Sequence, residues 1–262
     1  MPRWSRVFRM LLAGMLLAFF TAACQFDLGI SELNLPFMPT ETSPPVPTAT
    51  PIPTPTVPPK PSSSADTTQI QVMVDDTTVF TDKQLGFRLV LPPEWMAVPV
   101  DETLRDEIIA GFAGNLRESL ARLLESAMTQ EGLRMLAVDY TGKYTYQEEN
   151  FINNIQMVFD ESANPEAELQ TILDDAVASA EETFEDSDVL YQSIEENSKG
   201  ITYASLIISH PISTFGVPLR QVLMMIKLDT GLLTITASIH AERYTDAERS
   251  LKNVINSFEL AE

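Results

Sequence analysis

Eleven of this chain's 18 prolines lie between Pro36 and Pro61, interleaved with threonine and valine. Proline fixes φ and carries no backbone N–H, so such a segment enters neither a helix nor the interior of a sheet. The cluster therefore divides the chain, and a core can be built only after it. At ~3.1 Å per residue in polyproline geometry, the segment reads as a semi-rigid spacer with a reach of roughly 80 Å. Ser62, Ser63 and Ser64 give the spacer a flexible end. Its Thr/Pro composition also suits O-glycosylation.

Ahead of the spacer, Arg3, Arg6 and Arg9 precede an apolar run from Met10 to Ala23. This is the pattern of a secretory signal, and the run is shorter than the roughly 20 residues of a membrane-spanning helix. Cys24, the only cysteine, follows Ala22 and Ala23 directly. A lone cysteine at that point resembles a bacterial lipoprotein lipobox, although Thr21 stands where leucine is commonest. The resemblance implies a diacylated thiol that becomes the new N-terminus. Two acyl chains hold a protein at a membrane where one is marginal. The alternatives are an ordinary cleavage site at Thr21-Ala22-Ala23 and an uncleaved anchor. The expected organisation is a signal peptide over 1–23, a mostly disordered linker over 24–76 and a folded domain over 77–262.

Charge and composition exclude several functions. The chain carries 37 acidic and 17 basic residues, a net charge of −20. It is a poor ligand for nucleic acid or an anionic membrane face. One cysteine and two histidines leave no disulfide framework and no Cys- or His-rich metal centre. No cofactor or metal is implied. The apolar share of 44% is that of a globular protein.

From Thr77 onward the patterning is regular. Leu104, Ile108, Ile109, Phe112, Leu116, Leu120, Leu123 and Leu124 predict a helix over about Thr103–Gln130. Asp101 or Thr103 is placed to cap it, and Gly132 to end it. Asn164-Pro165 predicts a second helix start, running to about Thr183. Thr245 and Glu248 form a capping box for a third helix, Asp246–Phe258. Strands are expected at Phe87–Leu91, Met135–Tyr140, Asn154–Phe159, Val189–Glu195, Ile201–Ser209, Leu219–Leu228 and Leu232–His240. The last two form a hairpin near Thr230-Gly231. A two-residue loop puts Val222, Met224, Ile226 and Leu228 on one face with Leu233, Ile235, Ala237 and Ile239. The opposite face carries Gln221, Leu223, Met225, Lys227, Thr234, Thr236, Ser238 and His240. Hairpins and helices together give an α+β fold, a largely antiparallel sheet with helices on one or both sides.

Gly86-Phe87-Arg88-Leu89-Val90-Leu91-Pro92-Pro93-Glu94-Trp95 resembles the opening Gly-Phe-x-x-x-x-Pro-x-x-Trp strand of PsbP-like domains. The following long helix, the late antiparallel strands and the closing helix near Ser257-Phe258 are similar too. The superfamily includes photosystem PsbP proteins, a Ran-binding nuclear import factor and many bacterial lipoproteins. The resemblance, over about Thr78–Leu260, implies an α/β/α sandwich around an antiparallel sheet. It also implies a domain that binds or assists other proteins. It carries over no catalytic residues.

The sequence offers little to an enzyme. There is no Gly-x-Ser-x-Gly elbow and no glycine-rich phosphate loop. His210, before Pro211, reads as a loop histidine. Ser238 and His240 share a strand face, but a solvated strand end explains them. Trp95 and Phe87 read as core. Glu185-Asp186-Ser187-Asp188 lacks the glycine and terminal glutamate of a calcium-binding EF-hand.

The reading is a non-enzymatic lipoprotein on the extracytoplasmic side of a bacterial envelope. Its partners are the membrane, through the N-terminal lipid, and an envelope protein; nucleic acid is not among them. The alternative is a carrier or sensor of a small or apolar ligand. Its groove would be lined by Leu223, Met225, Thr234, Thr236, Ser238 and His240, provided that no helix covers that face. An unrecognised hydrolase is a distant third.

Overall fold

The computed structural model describes residues 60, 63–64, 67–98, 109, 114–139, 141, 151–184, 186–212 and 216–260. Cys24 lies outside them, as do Asp101, Thr103 and most of the N-terminal half of the first expected helix.

Strict alternation builds the first sheet. In Phe87–Leu91 (β4), Phe87, Leu89 and Leu91 are buried while Arg88 faces solvent. Thr78–Asp82 (β3) pairs with β4, Thr68–Val72 (β2) with β3, and Ser63–Ser64 (β1) with β2. Glu259–Leu260 (β12) closes the other edge, completing the order β1-β2-β3-β4-β12. Two strands thus lie inside the stretch read as mostly disordered linker: β2 forms where Ile70 and Val72 alternate, as that alternation allows, and β1 pairs on its outer side, so β2 is not the edge.

Pro92-Pro93 ends β4 and sends the chain to a second sheet. Trp95–Val98 (β5) is buried at every position, so it shows no alternation and sequence patterning passes over it. The second sheet also takes Leu133–Asp139 (β6), Asn154–Asp160 (β7), Asp188–Glu196 (β8), Thr202–His210 (β9), Leu219–Leu228 (β10) and Gly231–His240 (β11). Its order is β5-β6-β7-β11-β10-β9-β8, antiparallel throughout. The β10–β11 hairpin has the expected register, with Val222 opposite Ala237, Met224 opposite Ile235 and Ile226 opposite Leu233.

Three helices stand among the described residues. Gly114–Met128 (α1) places Leu120, Leu124 and Ala127 on Met96, Leu136 and Val138. Leu169–Thr183 (α2) packs Ile172, Leu173 and Ala176 on Leu206, Leu223 and Met225. Both helices lie on one face of the large sheet. Tyr244–Ser257 (α3) and the small sheet share the other face, enclosing Val222, Met224, Ile235 and Ala237. The fold is therefore α+β in three layers, with a second sheet where one sheet was expected.

Two helix starts differ from expectation. The Asn164 side chain accepts from the Glu166 N–H at 3.0 Å, so Asn164-Pro165 makes a turn and α2 begins at Leu169. The helix α3 begins two residues early. A 3-10 turn at Ala241–Arg243 feeds it directly, and Glu248 accepts from Lys252 at 2.8 Å instead of closing a capping box.

Polar contacts join the layers. Arg134 of β6 bonds Asp82 of β3 at 2.6 Å. Trp95 Nε1 donates to Ser250 Oγ of α3 at 2.9 Å. Lys60 Nζ donates to the carbonyls of Asp76 and Pro93, both at 2.6 Å, fastening the end of the spacer beside β5.

Candidate functional site

Strand alternation puts the proposed ligand face where it was expected, on the side of β10 and β11 away from α3. Leu223 and Met225, however, are enclosed by α2 within one apolar cluster. The condition for a groove, a face without a covering helix, is not met at these two positions. Thr234, Thr236, Ser238 and His240 are buried as well.

Register carries the polar stripe across to β7. Thr236 lies opposite Gln156, and Ser238 opposite Asn154. Gln156 and Asn154 are also buried. The stripe runs between the apolar footprint of α1 on β5–β6 and that of α2 on β8–β10. Asn154 Nδ2 donates to the Ile152 carbonyl at 3.0 Å. Its Oδ1 is buried and has no hydrogen-bond partner among the described residues. A buried acceptor left in this state costs about 1–3 kcal/mol.

A hydrogen-bonded chain crosses the α2 end of this face. Gln221 Nε2 donates to Ser238 Oγ at 3.3 Å, which turns Gln221 Oε1 toward His210 Nε2, 2.9 Å away. His210 then donates through Nε2, and its Nδ1 accepts from the Ser187 hydroxyl at 2.7 Å. The Phe184 ring meets the imidazole edge-on, with centroids 4.8 Å apart. His210 ends β9 and is 1% exposed, so it is no loop histidine. Its alternate position on β9 turns it inward, and Pro211 follows the strand's last residue.

Burial pulls the His210 pKa down to about 4, with the Gln221 bond acting weakly in the opposite sense. A general base works best with a pKa near the working pH. The neutral amide of Gln221 stands where a Ser-His-Asp triad has its carboxylate. The bonds tie the end of β9 to β10 through Gln221 and to the residue before β8 through Ser187.

Ser238 and His240 serve separate local purposes. Ser238 accepts from Gln221. His240 N–H donates to Asn153 Oδ1 at 2.8 Å, and His240 Nδ1 accepts from the Glu242 N–H at 3.3 Å, capping the turn before α3. Both side chains are buried, which corrects the solvated strand end expected from sequence. Trp95 and Phe87 are core, at 0% exposure each.

The open part of the large sheet is β8. Its sole strand neighbour among the described residues is β9. Leu190, Tyr191 and Ile194 are 50%, 44% and 37% exposed. The register shifts between Val189 and Tyr191, leaving Leu190 at a bulge. Asp188 and Glu196 are exposed at the two ends, and Glu195 accepts from the Tyr203 hydroxyl at 2.8 Å. Sequence alternation finds this strand, but its place at a sheet edge has no local signal.

No protein-family profile and no curated protein matches the chain. Solved structures do. PsbP from the cyanobacterium Synechocystis sp. PCC 6803 is 11% identical, with 72% of this chain and 95% of that one covered, at a TM-score of 0.45. LpqN, described as involved in cell envelope biogenesis of Mycobacterium tuberculosis, is 11% identical, with 67% and 83% covered, at a TM-score of 0.42. Both are similarities over the spans given. No residue role passes from either to this chain. No helix among the described residues is long and apolar enough to cross a membrane.

Proposed function

We propose that this chain is a non-enzymatic lipoprotein that presents an acidic α+β domain on the extracytoplasmic side of a bacterial envelope, for binding a protein partner or assisting assembly. The observation that carries the reading is how the spacer meets the domain. Lys60, the last residue before Pro61, is fastened to the Asp76 and Pro93 carbonyls. A chain acylated at Cys24 would thus hold its domain at one defined side, at the end of a stiff tether. The domain end of the chain, 77–262, carries 31 acids and 13 bases. That charge favours solubility and attracts cationic partners.

Two experiments test the reading. Cys24→Ala should release the full chain from membranes of its host. Membrane fractionation identical to wild type would rule out the acyl anchor. Cross-linking on intact cells should then recover an envelope protein joined to the wild-type chain.

A second reading, carriage of a small polar ligand, is favoured by one observation, the buried Asn154 Oδ1 in the polar stripe, without a partner among the described residues. Native mass spectrometry of the full chain from its source should show a reproducible adduct if that reading holds, and bare mass if it does not.

A further inference from the structure

The open edge of the large sheet has a chemical character of its own. Between Lys143 and Lys199 the sequence holds 15 acidic residues and no basic one. That stretch contains β8 and the helix α2, which packs over β8 and β9. Lys199, at its end, is engaged with Glu259 at 3.1 Å. An edge strand presents a row of unpaired N–H and C=O groups, and native proteins blunt such edges or use them. Here the bulge at Leu190 limits the regular run to Tyr191–Glu196, where Tyr191 and Ile194 remain exposed.

Two occupants within reach are disfavoured. A second copy would bring two such acidic stretches edge to edge, each with 15 acids and no base between Lys143 and Lys199, like charge against like. The spacer of this same chain has no lysine or arginine from Cys24 to Pro59, and its prolines cannot donate to a ladder. Position favours an outside partner. Lys60 fastens the spacer at Pro93, next to β5, while β8 is the far edge of the seven strands. At ~4.8 Å per strand, β8 lies roughly 29 Å across the sheet from the tethered edge.

Resting on the protein-binding reading above, we propose that β8 receives an extended, lysine- or arginine-bearing segment of a partner protein as an added strand. Main-chain hydrogen bonds along Tyr191–Glu196 would supply the pairing. Asp188 and Glu196 would select cationic side chains, and Tyr191 and Ile194 would meet apolar ones.

The probe is an eight-residue peptide alternating valine with lysine, added to the full chain in detergent at low salt. Binding is followed by fluorescence anisotropy and by hydrogen exchange of the backbone. The expected result is binding with amide protection confined to Tyr191–Glu196. Affinity should fall about tenfold or more in the double variant Asp188→Lys/Glu196→Lys. It should fall similarly when alternate peptide nitrogens are methylated, which keeps the charge and removes strand pairing. Equal binding of the methylated peptide, or protection elsewhere on the domain, overturns the edge assignment. No binding, in a chain that still cross-links to an envelope protein in cells, overturns the edge and leaves the protein-binding reading standing. Absence of both results overturns both.

Discussion

At neutral pH the His210 imidazole is uncharged, because burial among Phe184, Gln221 and Ser187 takes its pKa from 6.5 to about 4. The consequence for stability has a definite sign. Between pH 6.5 and 4 the unfolded chain takes up a proton that the folded chain refuses. Stability contributed by the neutral form is whole above pH 6.5 and is lost as the pH falls toward 4. At pH 5 the loss is on the order of 2 kcal/mol. His210→Gln keeps an acceptor for Ser187 and removes the titration. Urea unfolding at pH 7.5 and pH 5 should therefore show a smaller acid loss in the variant than in wild type. An equal loss in both would mean that His210 is protonated in the folded protein. The sequence showed a histidine before a proline and nothing more. Its burial follows from Gln221 and Ser187, residues 11 and 23 positions away.

Asn197 shows how one side chain fixes the relation between two elements. It sits at the β8–β9 turn, and its Nδ2 donates to the carbonyls of Ile255 and Phe258, at 3.0 and 2.9 Å, at the end of α3. Its Oδ1 accepts from the Lys199 and Ile201 N–H groups, at 2.9 and 3.0 Å. Helix ends leave carbonyls exposed to other donors, and here a hairpin side chain bonds two of them, Ile255 O also accepting from the Phe258 N–H at 3.1 Å. Asn197→Ala should cost about 2–4 kcal/mol by chemical denaturation. Asn197→Asp should cost at least as much, since it keeps the turn acceptor but sets a carboxylate against two carbonyls. A variant as stable as wild type would remove Asn197 from this role. Gly132 is a second such point. It follows α1 at φ +75°, and a Cβ there would run into the Phe159 carbonyl of β7. The sequence placed Gly132 as a helix end. It could not show that β7 approaches it. Likewise Asn164-Pro165 carried a helix-start signal, and the local Asx turn at Glu166 displaced it.

On the scale of the molecule, Lys60 ties the start of the described chain beside β5, and β8, at the far end of the large sheet, has only β9 as a strand neighbour among the described residues. Lys60→Met should remove both carbonyl contacts and loosen β1. Hydrogen exchange at Ser63 and Ser64 should then speed up while β10 and β11 keep their protection. Unchanged exchange at Ser63 and Ser64 would mean that the spacer is not fastened by Lys60. The sequence by itself determined the α+β class and the β10–β11 register. Both depend on neighbours in the chain: period-2 alternation and loop length. Tertiary structure alone decided that Trp95–Val98 and Thr78–Asp82 are strands of different sheets and that α2 covers Met225. It also decided that His210 and His240 are buried and that β8 is an edge. Sequence patterning shows that a face is buried or exposed. What lies against that face is set by residues distant in the chain, and no local pattern encodes it.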